Sequence, residues 1–412
     1  MSARDHNYDV LIVGAGPAGM AAAWAASQAV VRVGVVDENR APGGQIWRGE
    51  TSGEWFKRFK QSRAEMLHGV AVAGLLREGV LLAERNAAPL ELGYGKLILC
   101  TGARERFLPF PGWTLPNVCG AGGLQALAKG GFPLQGKRVV VAGSGPLLVA
   151  VAGHLKKEGA IIVCIAEQTS RRRLLPFAAR LLQSPAKLAQ AVALRSQLLG
   201  VPYRTESWPV RAEGNGKLER VTLCVRGKQR TFACDYLACG YGLVPNIELA
   251  ALAGCRVDGG AVLADHWQQT TQPGIYAAGE ITGVGGAELA VLEGQIAGFS
   301  AVGLRDRARV LFGRRERANR FKRALDRAFA IRGDLAQRVD PSTLLCRCED
   351  VTFGRVAEFR TWREAKLQTR CGMGPCQGRV CGPAAEFLLG WDVGDARPPV
   401  LGATVRTLSG AS

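Results

Sequence analysis

No stretch of this sequence is apolar for long enough to cross a bilayer; "AIIVCIA" (160–166) is among the longest such runs and reads as a buried strand. The opening, "MSARDHNYDV", has no basic region followed by an apolar stretch, so a cytoplasmic location without a secretory signal is expected. Thiols stay reduced there, which argues against a disulfide framework for the 12 cysteines. None of them forms a C-x-x-C, so a redox dithiol of that spacing is missing too. Acidic residues are short, 35 against 53 Lys and Arg, which leaves a net charge of +18. Aromatics make up 7% and do not interleave with the basic residues, so no nucleic-acid-binding module is expected. The basic surplus gathers in "RRR" (171–173) and in "RRERANRFKRALDRAFAIR" (314–332). In the second stretch Ala318, Phe321, Leu325, Ala328 and Phe329 recur at helical spacing and leave the arginines on the opposite face. A solvated helix face is the plain reading. An acidic partner subunit is the preferred functional one, with peripheral association at the inner face of the cell membrane as the other. His6, His68, His154 and His266 are dispersed and sit in no catalytic motif.

What is present is glycine and short apolar strands: 53 glycines in 412 residues and 47% apolar content suit an α/β chain of two or three domains. The stretch "YDVLIVGAGPAGMAAAWAA" is an apolar strand, then Gly14-x-Gly16-Pro17-Ala18-Gly19, then a small-residue helix. A second strand, "VRVGVVDE", ends in Asp37 and Glu38. The first two glycines permit a tight turn and close approach to a pyrophosphate, and the third lets helix and strand pack closely. The helix amino terminus supplies free N–H groups for phosphate, and Asp37 can accept from both hydroxyls of an adenosine ribose. With strand, helix, second strand and carboxylate in register, this is a dinucleotide site.

A second unit, "GKRVVVAGSGPLLVAVAGHLKKEGAIIVCIAE", repeats the pattern as Gly143-x-Gly145-x-x-Leu148. Leu148 replaces the third glycine and is expected to push helix and strand apart unless compensated. Glu167 ends the second strand, where it favours NAD or another adenine nucleotide over a 2′-phosphate. Cys164, Cys234 and Cys239 read as core residues.

Five cysteines remain near the carboxyl end, in "CRCEDV" and "TRCGMGPCQGRVC". Cys346 and Cys348 are two apart and point the same way on an extended stretch. Cys371 and Cys376 bracket "GMGP", which can fold a tight loop and join their thiols. Four convergent thiolates suit an Fe–S cluster or zinc. A helix running from Pro375 places Cys381 about 140° away from Cys376, though Gly378, Gly382 and Pro383 weaken that helix. Were the upstream dinucleotide a flavin, [2Fe–2S] would be favoured, because a flavin accepts two electrons and can release them singly.

Three further segments carry a resemblance: "APGGQIWR" with Gly43, Gly44 and Gln45, "LILCTGARERFLPFPG" with Thr101 and Gly102, and "GIYAAGEITGVGGAELAVLEGQIAG" with Gly279 and Glu280. The arrangement resembles the two-dinucleotide-domain flavoproteins, which implies FAD, with Glu280 standing where they have an aspartate at the ribityl or phosphate region. More closely, "DENRAPGGQIWR", "GSGPLL", "GYGLVPN" and "CRCEDVT…TRCGMGPCQGR" resemble the α (B) subunits of heteromeric FAD-dependent amino-acid and amine dehydrogenases. These include the hydroxyproline dehydrogenase, opine oxidase, hydrogen cyanide synthase and dye-linked proline dehydrogenase type. The resemblance covers nearly the whole chain to about residue 390. It implies a last domain similar to the bacterioferritin-associated ferredoxin, with Cys346, Cys348, Cys371 and Cys376 holding a [2Fe–2S] cluster. The gap before "TRCGMG" is shorter than in the family, and the Cys348–Cys381 interval is near the ferredoxin's own, so Cys381 is a reserve ligand.

The expected fold is therefore α/β: two Rossmann-like dinucleotide-binding domains plus a small helical C-terminal [2Fe–2S] domain. The expected segments are an FAD-binding domain (1–110 and 245–305), a second nucleotide-binding domain (111–244), a basic helical linker (306–340), a cluster domain (341–395) and a tail (396–412). The resemblance implies an electron-transfer subunit, with amino-acid oxidation on a partner flavoprotein β subunit; it also allows an FMN at a subunit interface and a small ferredoxin-like subunit. Two other readings stand beside it: a stand-alone NADH-dependent FAD/[2Fe–2S] oxidoreductase, and an assembly subunit that holds a nucleotide for stability.

Overall fold

A computed structural model of the chain describes residues 6–182, 184–394 and 396–409. The first five residues, expected in the FAD-binding segment, and the last three, expected in the tail, lie outside the described residues. The chain divides into two compact units, each made of separate stretches: 1–104, 244–322 and 395–412 in the first, 105–243 and 323–394 in the second.

The first unit is built on the strand Asn7–Val13. It pairs in parallel with Val33–Asp37 on one side and Ala88–Leu99 on the other. Leu11 and Ile12 are fully buried, as in a parallel sheet covered on both faces, where strands read as near-continuous apolar runs. Glu65–His68 extends the sheet beyond Val33–Asp37, an antiparallel meander (Val80–Arg85, Val70–Arg77) extends it at the other side, and Ile275–Ala277 joins Ala88–Leu99 in parallel. Helix Pro17–Ala26 is almost wholly buried and packs on helix Gly286–Ala301. Their small residues let the backbones approach; a side chain at Gly294 would collide with the Ala18 carbonyl.

The tail belongs to this unit. Thr404 donates to Glu84 Oε2 from both its N–H (2.7 Å) and its hydroxyl (2.8 Å), and the Thr407 hydroxyl donates to the same oxygen at 2.6 Å. Val400 N–H donates to Ala73 O at 2.7 Å.

The second unit has a five-stranded parallel sheet in the order Tyr203–Thr205, Ile161–Glu167, Arg138–Gly143, Tyr236–Gly240, Val118–Gly120. A three-stranded antiparallel sheet, Ser207–Glu213, Arg220–Val225 and Lys228–Ala233, follows in the chain. Cys164, Cys234 and Cys239 are fully buried in the apolar core, as read from the sequence. The same unit contains the late cysteine region, which has its own core of Leu345, Val356, Trp362, Ala365 and Ala385. The Trp113 indole N–H donates to Leu344 O at 2.6 Å and ties that region in.

The basic stretch forms helix Phe312–Ala328, with Ala324 and Ala328 on its buried face. No helix among the described residues is long and apolar enough to cross a membrane.

Candidate cofactor sites

In the first unit, Val13 stands opposite Val36 and Leu99, and Leu99 opposite Ala277. The segments that follow these strand ends therefore meet at one edge: Gly14–Gly19, Asp37–Gln45, Thr101–Gly102 and Gly279–Glu280. That edge is where open α/β sheets bind ligands. A side chain at Gly19 would collide with the Gly14 carbonyl oxygen, so glycine alone allows helix Pro17–Ala26 to start this close to the turn. Pro17 opens the helix and no side chain caps it, which leaves its first N–H groups free for an anion. Asp37 Oδ2 accepts from Ala15 N–H (2.6 Å), and Oδ1 accepts from the Asn39 N–H (2.7 Å) and side-chain amide (2.8 Å). The carboxylate is half-buried and keeps acceptor capacity for a diol. Glu38 and Gln45 are exposed. Arg48 donates to Gln45 Oε1 and Asn39 Oδ1, both at 3.1 Å, while Gly43 N–H donates to Ala15 O at 2.8 Å, drawing Gly43–Gln45 over the glycine turn.

Thr101 and Gly102 are held by one residue, Asn246. The Thr101 hydroxyl donates to Asn246 O (2.6 Å), the Asn246 amide to Thr101 O (2.9 Å), and Asn246 N–H to Gly102 O (3.0 Å). Glu280 is half-buried, burial raises its pKa, and its carboxylate has no hydrogen-bond partner among the described residues. A desolvated, unpartnered carboxylate beside an open helix amino terminus fits a polar cofactor with hydroxyls to donate and phosphates to be held. Beneath it lies a residue that the sequence did not single out: Glu293, 5% exposed, accepts from Gly279 N–H at 2.9 Å and sits 2.8 Å from the Thr282 hydroxyl.

The second unit is arranged differently. Leu148 does not pry helix Leu147–Lys157 from the sheet; it is fully buried in a core shared with Val139 and Val141 of strand Arg138–Gly143. Glu167 is fully buried, unlike Asp37, and its oxygens accept from Gly145 and Thr169 N–H, each at 2.8 Å. The chain itself reaches this turn. Ser144 Oγ donates to Phe329 O (2.8 Å), the Gln168 amide donates to Ala330 O (3.2 Å), and Arg332 N–H donates to Gln168 Oε1 (3.1 Å). Beside it is a cavity of about 700 Å³ lined by Ser170, Arg171, Arg172, Arg173, Glu206 and Arg332 among others.

The late cysteines gather, though not in the pattern their spacing suggests. The extended stretch ends at Cys346, and residues 347–350 form a turn, so Cys346 is buried and Cys348 exposed rather than both pointing one way. Residues 375–380 are turns, and the helix begins only at Cys381, so the rotation that would have carried Cys381 away does not occur. Cys346, Cys371 and Cys381 are all buried, their sulfurs within 4.8 Å of one another. Cys348 and Cys376 lie close to each other nearer the surface. The backbone N–H groups of Gly372 and Glu349 point to the Cys346 sulfur, and that of Cys376 to Cys348. Such N–H donors support thiolates. A side chain at Gly374 would collide with Cys348 Cβ, so the "GMGP" loop crosses the CxC turn only because Gly374 is bare. Five soft sulfur donors fit an iron–sulfur cluster or zinc.

Of the histidines, His266 packs on Trp267 and Phe312, His6 lies 3.4 Å from the Tyr8 hydroxyl, burial lowers the His154 pKa, and His68 stands opposite Asp37 with its Nδ1 buried and unpartnered among the described residues.

Residues 8–296 match the pyridine nucleotide-disulphide oxidoreductase family. The opine oxidase subunit of Rhizobium meliloti designated A is 30% identical, across 91% of this chain and 80% of that protein. Hydrogen cyanide synthase subunit HcnB of Pseudomonas aeruginosa is 31% identical, across 91% of each chain. In fold the chain is similar to L-proline dehydrogenase from P. horikoshii, with a TM-score of 0.70 at 20% identity, covering 97% of this chain and 79% of that one.

Proposed function

This chain belongs to the pyridine nucleotide-disulphide oxidoreductase family, beside the opine oxidase A and hydrogen cyanide synthase HcnB subunits, and from that premise we propose that it is an electron-transfer subunit of a heteromeric FAD-dependent dehydrogenase. Its donors would be C–N compounds of the amino-acid or amine class, oxidised on a partner flavoprotein subunit. FAD would lie at the first unit's strand edge, with Gly14–Gly19 at the pyrophosphate, Asp37 at the ribose, and Thr101, Gly102 and Glu280 along the rest. The bound flavin would supply two-electron acceptance and one-electron release. The late cysteines would hold a [2Fe–2S] cluster as the next carrier, with Cys346, Cys371 and Cys381 as its buried side and Cys348 or Cys376 completing the four.

The observation that carries the reading is the pairing, in one chain, of the unpartnered Glu280 at the first unit's glycine edge with a buried trithiol. A stand-alone NADH-dependent enzyme fits less well, because Phe329, Ala330 and Arg332 already engage Ser144 and Gln168 at the second unit's turn. An adenine nucleotide held there would place its phosphates toward Arg171–Arg173.

The test is composition and spectrum of the chain purified with its partner under anaerobic conditions. Expected are FAD released on denaturation, two irons and two acid-labile sulfides per chain, and no flavin reduction by NADH. Colourless protein without iron or flavin would overturn the reading. A Cys346→Ser variant is expected to lose its iron while keeping FAD; full iron retention would remove Cys346 from the ligand set.

A further inference from the structure

Glu293 sits in the middle of helix Gly286–Ala301, where every residue from Leu289 to Ser300 is buried. A carboxyl group there has a structural duty, holding the turn Gly279–Thr282 by its N–H at 2.9 Å. It also has a partner of a special kind. Thr282 Oγ1 lies 2.8 Å from Glu293 Oε2 and 2.8 Å from Gly279 O, but a hydroxyl carries one proton and can donate to only one of them. With Glu293 ionised, the hydroxyl donates to the carboxylate. With Glu293 protonated, the carboxyl O–H donates to Thr282 Oγ1, and the hydroxyl proton turns to Gly279 O. The same atomic positions satisfy both forms, so a proton can come and go at this place without leaving a buried polar atom unpaired.

The surroundings set the balance between those forms. Helix Pro17–Ala26, packed against this helix, offers no ionisable group. The end of strand Ala88–Leu99 brings the buried Cys100, strand Ile275–Ala277 brings the buried Tyr276, the turn brings Glu280, and helix Phe312–Ala328 brings Arg315 and Lys322, whose charges favour the ionised form. Burial outweighs them and the two donors, and pushes the Glu293 pKa up to about 7. The turn so controlled is the one that presents Glu280.

We propose that Glu293 is a proton-holding residue of the flavin site, taking up one solvent proton when negative charge is added to the cofactor held against the Gly279–Glu280 turn and returning it when that charge leaves. This rests on the FAD reading above. Electrons reaching a bound flavin from the C–N donor by way of the partner subunit would add the charge; Glu293 itself would exchange only H⁺, bound to a carboxylate oxygen on reduction and released on reoxidation. Glu293 thus acts as a positioning and proton-linked residue, with no contact to the reacting atoms required.

The test is the flavin midpoint potential of the assembled holoenzyme between pH 5.5 and 8.5, with the reduced-minus-oxidised infrared spectrum. Wild type is expected to show an added proton-linked bend near neutrality and a protonated-carboxyl band on reduction. In Glu293→Gln, which keeps the shape and the acceptor but cannot ionise, both are expected to vanish, and the potential at pH 8.5 to rise above wild type. Thr282→Val keeps the carboxyl and removes the hydroxyl donor, so its bend is expected at higher pH. Parallel curves for wild type and Glu293→Gln, or a bend unmoved by Thr282→Val, would overturn the proposal. Wild-type protein that releases no flavin would instead fail the FAD reading, and the two failures are told apart by that measurement alone.

Discussion

A single missing side chain decides whether the cysteine loop can close. Gly374 passes over Cys348 at a distance no Cβ tolerates, so Gly374→Ala must displace the backbone between Cys371 and Cys376. Iron content is expected to fall severalfold while bound flavin stays unchanged, measured on the same preparation; equal iron in variant and wild type would mean the loop relaxes without cost. Residues differ in how openly they announce such roles. Asp37 is legible because its position at a strand end, after a glycine turn and helix, belongs to a known spacing. Glu293 is not. Its helix is buried all round, so no polar face marks it, and a lone carboxylate in "LAVLEGQIAG" reads as a solvated residue until its two donors are seen. Cys381 enters the sequence reading only as a reserve ligand, because a helix through residues 375–380 would rotate it away; those residues are turns.

Elements behave as their patterns require where burial is two-sided. The strands Asn7–Val13 and Arg138–Gly143 are apolar and buried from Val10 and from Val139 onward and lie inside their sheets. The contribution of Phe329–Arg332 to the second unit is illegible, because its hydrogen bonds run from backbone groups, to which any sequence is blind. The tail is the element with a testable pH response. Three donors on Glu84, the Thr407 hydroxyl first, hold its pKa below the ordinary 4.5. A depressed carboxylate adds stability above its unfolded pKa and loses it as pH falls through the folded value. The tail is therefore expected to stay docked at neutral pH and to loosen as pH drops below 4.5. Protease cutting after residue 395 should increase across that range, and a Thr404→Val, Thr407→Val variant should show the same cutting at pH 7.

For the whole molecule, charge is the leading quantity. At +18, the chain repels copies of itself and attracts an acidic partner over a range set by salt. Association with the proposed partner subunit is expected to slow by about tenfold or more between low and physiological ionic strength, with dissociation far less affected, as read by surface-capture kinetics. A salt-independent association rate would assign the basic residues to plain solubility. The two-nucleotide architecture is visible in the repeated glycine turns, and so is the expectation of a first domain interrupted by the second; the compact units are each made of separate stretches.

The tail's grip on Glu84 joins residues 320 positions apart in the chain. On a ribosome adding roughly 5–20 residues per second, these partners emerge about a quarter of a minute to a minute apart. The first unit therefore stays open along its outer meander while the second nucleotide unit, the basic helix and the cysteine region are still being made. The seam with Thr404 and Thr407 closes only once residue 407 has emerged, so a nonsense codon just before Thr404 would leave both glycine turns and the late cysteines encoded and the meander without those contacts.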